Sequence, residues 1–400
     1  MDQQLLGHIA LSYSPIIDRN RNANTTRLTV FPLMPGTQLD AVALLSTLEE
    51  VWPVGGSSVA LNILSEHLLR DVLFQQPATH FMLEVPAFMA AQPENLQPLQ
   101  QLHANGNTLL LKGRPVQQLP REVLPLFKHS IIDLSDDRRI DQNGGGGAAP
   151  AGVMRTISFV QSGVRTVSDM EASFRRGAVA VLGWPVEDAL QTSARPTDQP
   201  GLQVIVELID QVHKEASIDR LEDILKRDPP LAFKLMRYIN SPAFGLSVEI
   251  SSFRHAIMVL GYQRLRRWLA LLLATANKDN NLRPVMFAAV RRGMLMEELV
   301  RDTADEEMRN EMFICGVFSL LDRMFRQPFS ELLKNIPVPE RVYLALAENS
   351  GPYRSYFDLV HAVEGDTLDN IRQAADNLIT GFSEINQAIL RALAKAGQLE

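Results

Sequence analysis

The sequence predicts an α/β barrel followed by an all-α domain, and three observations carry that prediction. In the first half, short apolar runs rich in β-branched residues alternate with amphipathic stretches of helical spacing. A polar, proline-bearing segment then interrupts the pattern at 191–200. From Gly201 onward the periodicity is helical alone.

The predicted strands are Ile9–Ile17, Arg27–Leu33, Ser58–Asn62, His80–Glu84, Asn107–Leu111, Ser130–Asp133, Thr156–Val160 and Ala178–Leu182. Continuous runs such as Val59-Ala60-Leu61 and Leu109-Leu110-Leu111 read as strands covered on both faces. Helical patterns lie between them at Leu39–Val51, Glu66–Leu73, Leu96–Ala104 and Asp169–Arg176. Repeated strand-helix alternation implies right-handed crossovers and a parallel sheet, and eight strands suggest closure into a barrel. One crossover is expected to be short, because the chain after Asp133 runs through Gly144-Gly145-Gly146-Gly147, which no helix interior tolerates. In the second half, Ser217 and Asp228 precede helical patterns as N-caps, and Ser252 opens a helix that Gly261 closes. Further helices are expected at Pro284–Arg301, Glu306–Phe325, Glu340–Glu348, Phe357–Glu364, Leu368–Thr380 and Glu384–Ala396.

The 400 residues are 46% hydrophobic and 21% charged, an ordinary globular balance, and the formal net charge is −7. An acidic chain offers no broad surface for phosphates, so nucleic acid is not an expected partner. A single cysteine, Cys315, excludes an intrachain disulfide and a cysteine-ligated zinc, and its apolar surroundings read as core. The amino terminus lacks a basic start and a long apolar stretch, and the longest apolar run, Trp268–Ala274, is far below the ~20 residues that span a bilayer. The expectation is a cytoplasmic protein without a membrane partner.

Residues 7–190 carry Phe159-Val160-Gln161-Ser162-Gly163-Val164-Arg165-Thr166, then Met170–Ala178 and Leu182-Gly183-Trp184, with weaker echoes at Ser14–Asp18, Val59–Asn62 and Met82–Val85. This half resembles EAL domains, the modified eight-stranded barrels that hydrolyse cyclic di-GMP. That resemblance implies a strand-end site in which carboxylates hold two divalent metals and a base activates water. Asn62, Glu84 and Asp133 match the family's ligand types. The Glu-Ala-Leu stretch is replaced by Leu28–Leu33, the paired aspartates by Lys112 and Gly113, and the two glutamates of Ala-Glu-Gly-Val-Glu-Thr by Ser162 and Arg165. A lysine at the strand ends repels a divalent cation directly. Arg114 and Arg165 are the candidates for holding a nucleotide phosphate without metal.

The second half reads Leu221–Leu231, Lys234–Gly245, Ile250–Gly261 and Arg264–Trp268 in a pattern that resembles the HDOD domain, a helical relative of HD phosphohydrolases. Where the HD metal ligands would lie, the chain has Met286–Arg292 and Gly316-Val317-Phe318-Ser319-Leu320, with neither imidazole nor carboxylate. HDOD domains generally lack that dyad. The Arg264, Arg266 and Arg267 cluster reads as a solvated helix face, His213, His255 and His361 as packing residues, and Met294, Met296, Met308, Met312 and Met324 as core.

The expected organisation is a degenerate EAL-like barrel over 1–190, a linker over 191–200 and an all-helical HDOD domain over 201–400. The expected function is a non-catalytic bacterial signal-transduction protein: a scaffold or adaptor for protein partners, with no catalytic residue, metal or cofactor. Two other readings stand beside it, a metal-free cyclic di-GMP receptor and a residual cyclic di-GMP phosphodiesterase. Partner identity and oligomeric state lie beyond the sequence.

Overall fold

The computed structural model describes residues 1–52, 58–113, 119–137, 157–188, 200–228, 231, 234, 235, 238–240, 252–275, 282–325, 327–334, 336 and 338–396. Arg114, the glycines 144–147 and all of the expected linker except Pro200 lie outside the described residues.

All eight predicted strands form: β1 (Ile9–Asp18), β2 (Thr25–Pro32), β3 (Ser58–Ile63), β4 (Phe81–Pro86), β5 (Leu109–Lys112), β6 (Phe127–Asp133), β7 (Ser158–Ser162) and β8 (Ala180–Leu182). They close into a barrel in sequence order. The sheet is parallel as expected except at β1, which runs antiparallel to both β2 and β8. The reason is connection length. Only residues 19–24 separate β1 from β2, and a parallel crossover needs a dozen residues or more. From β2 to β8 every neighbouring pair is parallel.

The crossover helices start where capping chemistry dictates. Asp40 accepts from Val42 and Ala43 to open Ala41–Val51. Ser65 opens Glu66–Phe74, and Thr166 opens Val167–Arg175. Each cap satisfies amides that the first helical turn leaves without carbonyl partners.

The chain divides into two compact units, Met1–Asp188 with Ser355–Glu400, and Ala189–Arg354. The expected domains put 355–400 with the helical half, whereas the contacts group it with the barrel. Asn386 shows why. It lies on the helix Phe382–Ala396 and is fully buried. Its Nδ2 donates to Leu6 O and Ile9 O, both at 2.8 Å, and its Oδ1 accepts from Leu11 N at 3.0 Å. β8 pairs with β1 only at Ile16, Ile17 and Asp18. Asn386 therefore supplies the partners that β8 does not reach, and a buried strand edge needs them.

The second unit is helical throughout its described residues. Ser217 accepts from Arg220 N and Asp228 from Leu231 N, as their N-cap readings require. Ser252 accepts from His255 N, and the helix that follows kinks at Gly261, whose φ of 69° is the left-handed region that glycine adopts without strain. The expected helix 306–325 forms as two pieces, Glu306–Phe318 and Leu321–Phe325. Glu306–Phe318 packs closely on Arg283–Leu299 at Gly316, where a Cβ would stand 2.5 Å from Arg292 O and 2.6 Å from the Cα of Gly293. Met294, Met296, Met312 and Met324 are buried. Cys315 is fully buried, and burial pushes its thiol up to about 12, so the reactive thiolate is disfavoured.

Replacing Asn386 with Ala leaves two carbonyls and one amide of the amino-terminal segment without partners in the interior. Urea denaturation should show about 2–4 kcal/mol lost, beyond the ~1 kcal/mol of an ordinary hydrogen bond. A loss below ~0.5 kcal/mol would show that β1 does not depend on the carboxy-terminal helix.

Candidate functional site

Strand periodicity builds the site. Inside the barrel, Ala60, Leu110, Ile131 and Val160 form an apolar cluster with Met82 packed against it. Side chains on a strand return to the same face every second residue. Two residues on, the same strands place Asn62, Glu84, Lys112, Asp133 and Ser162 in a polar layer above that cluster, toward the carboxyl ends of β3 to β7. In a parallel barrel this is the end that carries chemistry.

Two internal pairings organise the layer. Arg27 of β2, level with Ala60 in the register, reaches across β3 to Glu84 of β4. Its Nε donates to Oε1 and its Nη2 to Oε2, each at 2.8 Å, in a bidentate fork. The Glu84 side chain has no exposed area and that of Arg27 is 9% exposed. Desolvation alone would lower the guanidinium's proton affinity, but Glu84 beside it holds the pKa above the usual arginine value. The second pairing is Lys112 Nζ to Asn62 Oδ1 at 2.7 Å, while Asn62 Nδ2 donates to Thr29 Oγ1 at 3.1 Å. Burial, aided by the positive charge of Arg27, lowers the pKa of Lys112.

Asp133 is held apart from these pairs. It accepts from Ser135 N at 3.0 Å, from Ser135 Oγ at 2.6 Å and from Ser162 Oγ at 3.2 Å. A further carboxylate enters from far along the chain: exposed Asp366 lies 3.7 Å from Arg27 Nη1. Among the described residues no three His, Cys, Asp or Glu side chains converge as a metal site.

The sequence-derived candidates therefore separate. Asn62, Glu84, Lys112, Asp133 and Ser162 share one layer, and Gly113 follows the end of β5. Arg165 lies outside it, exposed and 3.7 Å from Glu187. Arg114 lies outside the described residues. Sequence reasoning missed Arg27 and Asp366. An arginine inside a β-rich run whose flanking positions are threonine and apolar residues was a legible signal for Arg27; nothing local marks Asp366.

In the helical unit, the two segments where the HD ligands were sought do meet. Buried Arg292 donates from Nη1 to Ser319 Oγ at 3.3 Å, so a cation occupies that junction. The expected solvated face is partly spent inside: Arg267 forks onto Glu297 with both distances 2.6 Å and covers the ring of Phe313 at 3.8 Å. Arg264 is exposed.

Comparison with known proteins places an HDOD domain at residues 200–326. The cyclic di-GMP phosphodiesterase CdgJ of Vibrio cholerae is 27% identical over 178 residues, which are 44% of this chain and 41% of CdgJ. YuxH of Bacillus subtilis is 27% identical over 176 residues, 43% of each chain. The matches thus span about four-tenths of those relatives' length. Solved structures aligned with the chain include a PaMucR phosphodiesterase–cyclic di-GMP complex, at 17% identity, TM-score 0.31, 45% of this chain and 96% of that one. Another is BlrP1 of Klebsiella pneumoniae, at 14% identity, TM-score 0.33, 46% of this chain and 57% of that one.

The expectation that the chain is not an enzyme is corrected by CdgJ, a relative named as a phosphodiesterase. The strand motifs do not hold every carboxylate near this layer: Asp366, from another part of the chain, reaches Arg27 there.

Arg27→Met should destabilise the protein by about 3–5 kcal/mol, because Glu84 is then buried without its partner. The double variant Arg27→Met, Glu84→Leu should recover most of that loss, since apolar replacement of a whole buried pair is often neutral. Urea melts of the four proteins of this cycle measure it; strictly additive losses would show that the two side chains do not depend on each other.

Proposed function

We propose that this chain is a two-part protein of cyclic di-GMP signalling whose HDOD domain, residues 200–326, engages protein partners while its barrel serves as a preorganised body. The observation that carries this reading is the internal pairing of the strand-end layer. Arg27 takes both oxygens of Glu84, and Lys112 takes the carbonyl of Asn62. Groups held in this way stiffen the barrel end and leave fewer free donors and acceptors for a small ligand. The signalling context comes from CdgJ by name and from the HDOD match. A cytoplasmic location goes with this reading.

A second reading, phosphodiesterase activity on cyclic di-GMP, is favoured by the name of CdgJ and by the presence of Glu84, Asp133 and Asp366 at one end of the barrel. Such an activity would need the Arg27–Glu84 fork to open so that a metal could compete for the carboxylate.

One comparison separates the two. The full chain and its Asn62→Ala, Asp133→Ala variant are incubated with cyclic di-GMP and Mn²⁺ while product is followed, and both are expressed in bacteria whose surface attachment reports cyclic di-GMP output. The partner-binding reading expects the variant to match the parent in cells. Hydrolysis by the parent that disappears in the variant together with the cellular output would replace it with the phosphodiesterase reading.

A further inference from the structure

We propose that the helical unit contains a binding site for a small organic carboxylate, set between the helices Pro200–His213, Phe253–Thr275 and Glu306–Phe318. A cavity of about 250 Å³ opens there. Its floor is apolar, made by Ile209, Ala270, Ile314 and Phe318, all buried. Its polar edge carries Arg266, His213, Gln263 and Asn310.

Arg266 is the side chain that points to a ligand. Of the three clustered arginines, Arg267 is paired with Glu297 and Arg264 faces solvent. Arg266 is half-buried, yet among the described residues it has no carboxylate partner. Its one hydrogen bond there, from Nη2 to Val212 O, is long at 3.5 Å. Its Nε is screened from solvent and donates to no described group. A guanidinium withdrawn from water in this state is short of acceptors, and a planar carboxylate matches its fork.

The remaining charges set the ligand's own. Glu311 also borders the cavity, but its carboxylate is engaged elsewhere, by Arg341 Nε at 3.1 Å and by the Tyr353 hydroxyl at 2.5 Å. Glu307 borders it too and is exposed. The uncompensated charge of Glu307 on the cavity's lining disfavours a phosphate dianion more than a single negative charge beside Arg266. The volume is below the roughly 300–1,000 Å³ typical of drug-sized pockets. The ligand is therefore a compact monoanion, one carboxylate on an apolar body of about one ring. Its carboxylate meets Arg266 and its body lies on Phe318 and Ile314. Such a site gives the HDOD domain a chemical input that is separate from the barrel layer and does not depend on the function proposed for it.

The probe is benzoate, with benzyl alcohol as the uncharged analogue and phenyl phosphate as the dianion, each titrated into the full chain by calorimetry and saturation-transfer NMR. Benzoate should bind at least tenfold more tightly than either analogue. Arg266→Gln should weaken benzoate at least tenfold, and Ala270→Leu, which fills the floor and keeps the charge, should do the same. Circular dichroism and thermal melts establish that each variant is folded, and the parent's selectivity among the three probes stands without either variant. Absence of benzoate binding, equal binding to Arg266→Gln, or unchanged binding to Ala270→Leu would each overturn the proposal. Tighter binding of phenyl phosphate than of benzoate would overturn the carboxylate assignment.

Discussion

A guanidinium taken out of water needs an anion, and the barrel is organised around that requirement at Arg27. The residue sits in the barrel wall between Ser14 of β1 and Ala60 of β3, at the height of the interior cluster. Its charge could not be buried there without Glu84, which meets it with both oxygens. Once Glu84 is committed, the rest of the layer follows. Asn62 turns its carbonyl to Lys112 and its amide to Thr29, and Asp133 takes its partners from Ser135 and Ser162. Each donor in this account has an acceptor, and the apolar cluster beneath keeps the distances short.

The same requirement is met in the helical unit by other means. Arg267 finds Glu297 and the face of Phe313, and Arg292 finds the Ser319 hydroxyl and the charge of Asp322 across the close crossing that Gly316 permits. Arg266 has no matching anion among the described residues. That difference between neighbours on one helix is what singles out the cavity beside it.

The barrel unit is not continuous in sequence. Helix Phe382–Ala396 returns to complete β1 through Asn386, and the helix Leu368–Leu378 sends Arg372 to the carbonyl of Leu33, just past β2. Asp366, two residues before that helix, reaches Arg27. The carboxy-terminal segment thus supplies part of both the strand edge and the charged layer, and a truncation that removes it would alter the barrel's own chemistry.

The local periods were legible in the sequence. The alternation of apolar runs and helical stretches located all eight strands, and residues such as Ser65, Asp40 and Ser217 sit at caps because a short polar side chain satisfies amides only a few positions away. The candidates Asn62, Glu84 and Asp133 came instead from the resemblance to EAL domains, whose ligand types they match. The antiparallel setting of β1 was available in the short connection to β2, but it becomes evident only once the barrel closes. What tertiary structure alone decided is the pairing of charges. Arg27 and Glu84 lie 57 positions apart, and Leu11 and Asn386 lie 375 apart. No local pattern encodes such partnerships, because the energy of a buried charge or amide is set by whatever the fold brings within about 3 Å of it.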